Sequence, residues 1–200
     1  MRSRRWLVAT VASLAVVILV VTLLGGWAPS APEGPATVAP GAAVDAEPFR
    51  LWLDEASARY VLNDRDAEPE QAFVVVEGRV ELTSPDSVSS TTLTDALTAD
   101  LTSSYDQFGS PSETPEASVR VSADGSSLLG LGPGLGYDVQ IVFVVDETAV
   151  PAELTVTALE HTRRASALDG TLGWFDATAA ARVTLDVAPL PATRPEVEDF

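Results

Sequence analysis

From Tyr137 the chain runs in β-forming apolar residues through Val139, Ile141, Phe143 and Val145. It breaks at DETAVPA and resumes at Leu154, Val156 and Ala158, with Thr155 and Thr157 on the opposite face. A period of two marks a strand with one wet face, so this stretch predicts an antiparallel, half-buried pair. Residues 72–82 (AFVVVEGRVEL) predict a second strong strand, solidly apolar at first and then alternating at Val76, Gly78, Val80 and Leu82. In residues 49–62, Phe49, Leu51 and Leu53 alternate with polar positions before the phase changes toward Tyr60, Val61 and Leu62, which predicts a strand interrupted by a kink or bulge. Shorter strands are expected at 118–122 (SVRVS) and 182–187 (RVTLDV), the latter closing the domain. Between them, residues 161–180 are expected to form a long connection with a turn at Asp169-Gly170.

The stretch 91–104 is ambiguous. Leu93, Leu97 and Leu101 are spaced by four, which suits a helix face and a strand face equally, and its many threonines favour extended structure. Seven or eight short strands with turn signals between them, and no long helix, point to an all-β antiparallel sandwich over residues 47–188.

Ahead of that domain the pattern changes. Residues 7–24 (LVATVASLAVVILVVTLL) form an 18-residue run without a charge, about 27 Å long as a helix and close to the roughly 30 Å of a bilayer core. It exceeds the usual length of a cleavable signal core, so we expect one transmembrane signal anchor, with a cleaved secretory peptide as the alternative. Arg2, Arg4 and Arg5 precede it and no basic residue follows until Arg50. By the positive-inside rule, residues 1–6 are then a cytoplasmic basic head, and the domain lies outside the cell membrane. Residues 25–46 hold four prolines and four glycines and few large apolar residues, which suggests a stalk. Residues 189–200 are expected to be a disordered acidic tail.

Charge narrows the partners. The formal charge of −17 becomes −20 once the three N-terminal arginines are set aside. A surface that acidic repels phosphate backbones, which excludes nucleic acid as a partner. There is no cysteine, so no disulfide, thiolate nucleophile or thiolate metal site exists.

The segment Asp124-Gly125, Leu131-Gly132-Pro133-Gly134, Val142 to Asp146 and Val150-Pro151 resembles the telokin-like, immunoglobulin-like extracytoplasmic domains of membrane-anchored proteins of Gram-positive, actinobacterial-type bacteria. The order of apolar head, low-complexity linker and C-terminal sandwich is similar too, so the likeness spans most of residues 48–188. It departs from them in lacking a Cys pair with a core Trp, and residues 83–117 match nothing in them. The resemblance implies an immunoglobulin-like sandwich of seven to eight strands and a surface location. It implies no catalytic residue.

Three candidate sites read as structural. Asp64, Asp66, Glu68 and Glu70 alternate in NDRDAEPE but lack the central glycine and terminal bidentate Glu of a calcium loop. GLGPGLG at 130–136 lacks the Lys-Ser/Thr ending of a phosphate loop and leads into a strand. His161 is the single histidine, beside two arginines, and no Ser stands in a nucleophile elbow. No catalytic, cofactor or metal residue is therefore assigned. What stands out is a basic and aromatic cluster of His161, Arg163, Arg164, Trp174 and Phe175 on an acidic domain, since Arg and Trp are enriched at binding hot spots. The expectation is a non-enzymatic, single-pass binding protein that touches the bilayer through 7–24 and an unidentified protein or envelope partner through this cluster. An accessory subunit of a transport or export complex, or a small-molecule or cation-binding ectodomain, are the alternatives.

Overall fold

The alternation at Phe49, Leu51 and Leu53 shifts phase to Ala56 and Ala58, and all five side chains are buried, which requires one extra residue in the strand between them. The computed structural model, which describes residues 34–106 and 109–195, places that β-bulge at Leu53/Glu55. A compact unit begins at Pro35. Its first strands are β1 (Ala36–Val38), β2 (Val44–Ala46), β3 (Phe49–Arg59), β4 (Val61–Leu62), β5 (Arg65–Asp66), β6 (Gln71–Leu82) and β7 (Val88–Ser89). The short helix α1 (Ser90–Asp95) precedes β8 (Leu97–Ala99), β9 (Ser104–Tyr105), β10 (Pro111–Ser112), β11 (Ser118–Val121) and β12 (Gly130–Leu131). The long strands β13 (Gly136–Asp146), β14 (Glu153–Ala165) and β15 (Leu172–Ala188) complete it.

Among the described residues, eleven strands join in one curled sheet of order β10-β9-β13-β6-β3-β15-β14-β8, with β1 on β15, β11 on β13 and β2 on β3. The sheet folds over where β15 leaves β14 and pairs with β3 through Val187 and Ala188. Its two halves enclose one core. Phe49, Leu51, Val74, Val76, Ile141 and Phe143 come from one side and Leu154, Val156, Val183 and Leu185 from the other. The fold is thus an all-β sandwich.

Several expectations need correction. The short strands raise the number above seven or eight, because pairings of two or three residues leave no periodic trace in a sequence. The sheet is not purely antiparallel, since β15 runs parallel to both β1 and β3. Residues 36–46, expected as stalk, contribute β1 and β2, and Val44 and Ala46 enter the core. The 91–104 stretch is split: the chain coils into α1, burying Leu93, and then extends into β8, which pairs with β14. The described part of the tail is docked, with Leu190 packed against the core and Arg194 Nη2 donating to the carbonyls of Gln71 (2.5 Å) and Glu68 (3.0 Å). Among the described residues no helix is long and apolar enough to cross a membrane. The basic head 1–6, the anchor expected at 7–24 and the first part of the stalk lie outside them.

Candidate functional site

Residues 161–180, expected as a long connection, are instead the outer part of a long β-hairpin. β14 and β15 pair from Glu153↔Asp186 out to Ala165↔Leu172. The pairing of β14 with β8 ends at Ala158 and that of β15 with β1 at Ala181, so beyond these residues the hairpin continues as a two-stranded arm. Two register shifts, at Ala158/Leu159 and Glu160/Thr162, mark the bend where it leaves the sandwich, as bulges do at the end of a packed region.

The tip is tied by its own polar groups. Ser166 N–H donates to the Thr171 carbonyl (2.8 Å), Gly170 N–H to the Ser166 carbonyl (2.9 Å) and Thr171 N–H to Asp169 Oδ1 (3.1 Å). Gly170 takes φ +73°, which a Cβ would oppose. The hydroxyl and amide of Thr171 hold Asp169 below the usual carboxylate range. At this tip Leu168 is 98% exposed and Leu172 63%.

Behind the tip, register sets Arg163 opposite Trp174 and Thr162 opposite Phe175. Arg164 lies over the Phe175 ring, 4.5 Å from guanidinium carbon to centroid, and grips Asp176 at two points, Nε–Oδ2 2.5 Å and Nη2–Oδ1 3.0 Å. The hydrogen bond from Arg164 holds the Asp176 carboxyl below its ordinary range, and the same bond raises the guanidinium. Arg163 pairs with Asp86, fastening the arm to the loop before β7. Trp174 and Phe175 are half-buried. His161 does not join this group: its side chain is only 9% exposed, Nδ1 has no partner among the described residues, and its N–H donates to the Glu47 carbonyl at the root of the arm (2.7 Å). Of the five residues singled out in the sequence, four therefore share the exposed arm and one belongs to its base.

The acidic NDRDAEPE stretch becomes the small hairpin β4–β5, with Asn63 and Asp64 at φ +50° and +62° in its turn. GLGPGLG supplies β12 against β7, a turn at Gly134 with φ +67°, and the start of β13, where a Cβ on Gly136 would strike the Arg79 guanidinium at 2.5 Å.

One concavity escaped the sequence reading. Phe73 and Val75 of β6 and Val142 of β13 face away from the main core and form a second apolar cluster with Leu62 and Ala67. Part of this cluster opens into a cavity of about 410 Å³ whose rim carries Arg65, Glu68 and Arg120. The signal was present in FVVV and IVFVV, since a strand apolar on both faces has both faces covered.

No family model matches the chain, and no curated protein matches it significantly. Solved structures to which it is similar include an uncharacterised β-sandwich protein from Clostridium difficile, at TM-score 0.48 and 11% identity, covering 79% of this chain and 99% of that one. A candidate lipoprotein from Staphylococcus aureus aligns at TM-score 0.42 and 4% identity over 78% and 97% of the two chains. A candidate lipoprotein from Bacillus subtilis aligns at 0.38 and 9%, over 72% of this chain and 38% of that one.

Proposed function

We propose that the chain is a non-enzymatic, membrane-anchored binding protein whose immunoglobulin-like, telokin-like domain stands outside the cell membrane and docks a protein partner through the β14–β15 arm. The observation that carries this reading is the arm itself. A ribbon that leaves the core exposes Leu168 and Leu172 at a turn held rigid by its own hydrogen bonds, with Arg163, Arg164, Trp174 and Phe175 directly behind. Apolar anchors on a pre-ordered hairpin lose little entropy on binding, and aromatic and Arg residues are those that dominate interface energetics. Asp169, kept ionised at the tip, disfavours insertion into hydrocarbon and favours a protein surface with a polar rim.

A hydrolytic role for His161 is disfavoured because its imidazole is closed in at the root of the arm, away from any substrate in solution. The cell-membrane location rests on the uncharged run 7–24 and the arginines before it.

Alanine substitution of Arg163, Arg164 and Trp174 together tests the reading. Crosslinked, full-length protein recovered from native membranes should lose its stoichiometric partner while the melting temperature stays within a few degrees. Unchanged partner recovery, or a collapse in stability, would assign these residues to the fold instead.

A further inference from the structure

We infer that the arm and the GLGPGLG turn form one apolar docking end, and that this end takes the extracytoplasmic face of an integral membrane protein held in the same bilayer. The inference rests on the anchored docking reading above and names its partner class. Among the described residues four large apolar side chains are exposed: Leu129 (84%), Leu135 (55%), Leu168 and Leu172. Single exposed leucines are ordinary on a protein surface, whereas apolar residues gathered in one region mark an interaction site. All four lie at one end of the sandwich.

Main-chain bonds place them there. The Ser90 N–H donates to the Leu129 carbonyl (3.2 Å) and β12 pairs with β7. Leu129 thus sits beside the segment that follows Asp86, the carboxylate that holds Arg163 of the arm. Next to Leu135, the Gly134 N–H donates to the Leu82 carbonyl (3.0 Å), and the Thr83 N–H donates to the Pro48 carbonyl (2.9 Å). Glu47, one residue earlier, accepts from the His161 N–H at the arm's root. Leu129 and Leu135 therefore stand at the base of the arm whose tip carries Leu168 and Leu172. At the opposite end, where β3 finishes at Arg59 and β13 at Asp146, no large apolar side chain is exposed among the described residues.

The chain enters the sandwich at the docking end. β15 runs from the arm into the body, and β1 runs parallel to it, starting with Ala36 opposite Ala181 at the arm's root. With the anchor at 7–24, residues 25–35 span at most about 40 Å. Residues 159–165 of β14 give the arm a length of about 23 Å, at about 3.3 Å per residue. A tether this short keeps the four leucines in the layer just outside the membrane, where the loops of integral membrane proteins are.

Lipid is the poorer occupant. Asp169 stands between Leu168 and Leu172, and the formal −20 of the exported chain repels anionic headgroups. Arg163 and Arg164 are already matched by Asp86 and Asp176, which leaves neither for a phosphate. A protein surface with apolar pockets and a basic rim meets the leucines and the surrounding carboxylates together.

The test uses the full-length chain in intact cells, with a photo-crosslinking amino acid at Leu129, Leu135 or Leu168 and a specific protease site inserted within residues 25–33. After irradiation the tether is cut and the membranes are washed with alkaline carbonate. Adducts from all three positions should contain the same protein and stay in the washed membranes, joined through an extracytoplasmic loop. Leu129→Ser combined with Leu135→Ser should lower the yield of the Leu168 adduct about tenfold, the scale of burying one leucine, at an unchanged melting temperature. Release of the adducts on cutting would overturn the inference while the docking reading stands, because the partner is then not embedded in the bilayer. Lipid adducts alone from 129 and 135, or none there while 168 crosslinks to protein, would overturn it as well. No protein adduct from any of the three positions would overturn the docking reading along with the inference.

Discussion

Arg164 and Asp176 face each other across the arm as a two-point pair, with the guanidinium also lying 4.5 Å above the Phe175 ring. Gly173 makes room for that ring, since a Cβ there would stand 2.9 Å from it. Asp176 is held below the ordinary carboxylate value of about 3.9 by its hydrogen bond from Arg164. A depressed carboxyl contributes fully above the unfolded value and loses its contribution as pH falls through the folded one. The Gly173 and Phe175 amide resonances should therefore hold their positions from neutral pH to about 5 and move below about 4. Asp176→Asn keeps the backbone, because Asn tolerates φ +57°, and should abolish that titration. Residues 166–171 should continue to respond through Asp169. Both partners are exposed, so the melting temperature should barely change.

Gly78 should be irreplaceable for packing reasons. It sits opposite Leu53, beside the bulge, and a Cβ there would come 2.2 Å from the Trp52 carbonyl oxygen. Main chain cannot yield as a flexible side chain does. Gly78→Ala should cost about 2–3 kcal/mol in urea unfolding, at the upper end of overpacking costs. A loss below half a kilocalorie would show that the bulge relaxes freely.

Arg194 should act as the clasp of the C-terminal segment. It donates to the Gln71 and Glu68 carbonyls and lies 4.7 Å over the Tyr60 ring. Arg194→Ala removes charge-assisted bonds to main-chain acceptors and should cost about 1–2 kcal/mol. It should also raise hydrogen exchange at Gln71, where the chain enters β6.

The long strands that form the core were legible in the sequence because each keeps apolar residues at a period of two on its core-facing side, β6 and β13 being apolar on the outer face as well over part of their length. β13 and the first half of β14 show alternation, and the bulge in β3 shows as a loss of phase between Leu53 and Tyr60, which the structure narrows to Leu53/Glu55. The arm was not legible as structure. From Thr162 outward both faces of the ribbon meet solvent, and two register shifts break the alternation at its root. Its chemistry was legible all the same, because Arg163, Arg164, Trp174 and Phe175 stood out as a cluster before their pairing was known. His161 was misplaced for the complementary reason: a strand-end histidine beside two arginines looks exposed, and only the bend at the root buries it. β1 and β2 were hidden by composition, since a three-residue strand held by main-chain bonds needs no apolar run. Arg194 gave no signal either, because a single side chain reaching main-chain carbonyls has no period.

The exposed tip makes a separation of stability from binding testable. Leu168→Ser and Leu172→Ser remove apolar surface that already faces water, so neither should lower the melting temperature by more than about 1 °C. Both should reduce partner recovery if the tip is the anchor.

The most direct measurement places a photo-crosslinking amino acid at Leu168 in the full-length chain, irradiates intact cells, and compares the adducts with those from the same residue at Thr184, on the body of the sandwich. The account predicts one discrete protein adduct from position 168, absent from 184 and lost when Arg163, Arg164 and Trp174 are replaced by alanine. The same adducts from both positions, or none from 168 while the partner still co-purifies, would contradict the arm as the docking element.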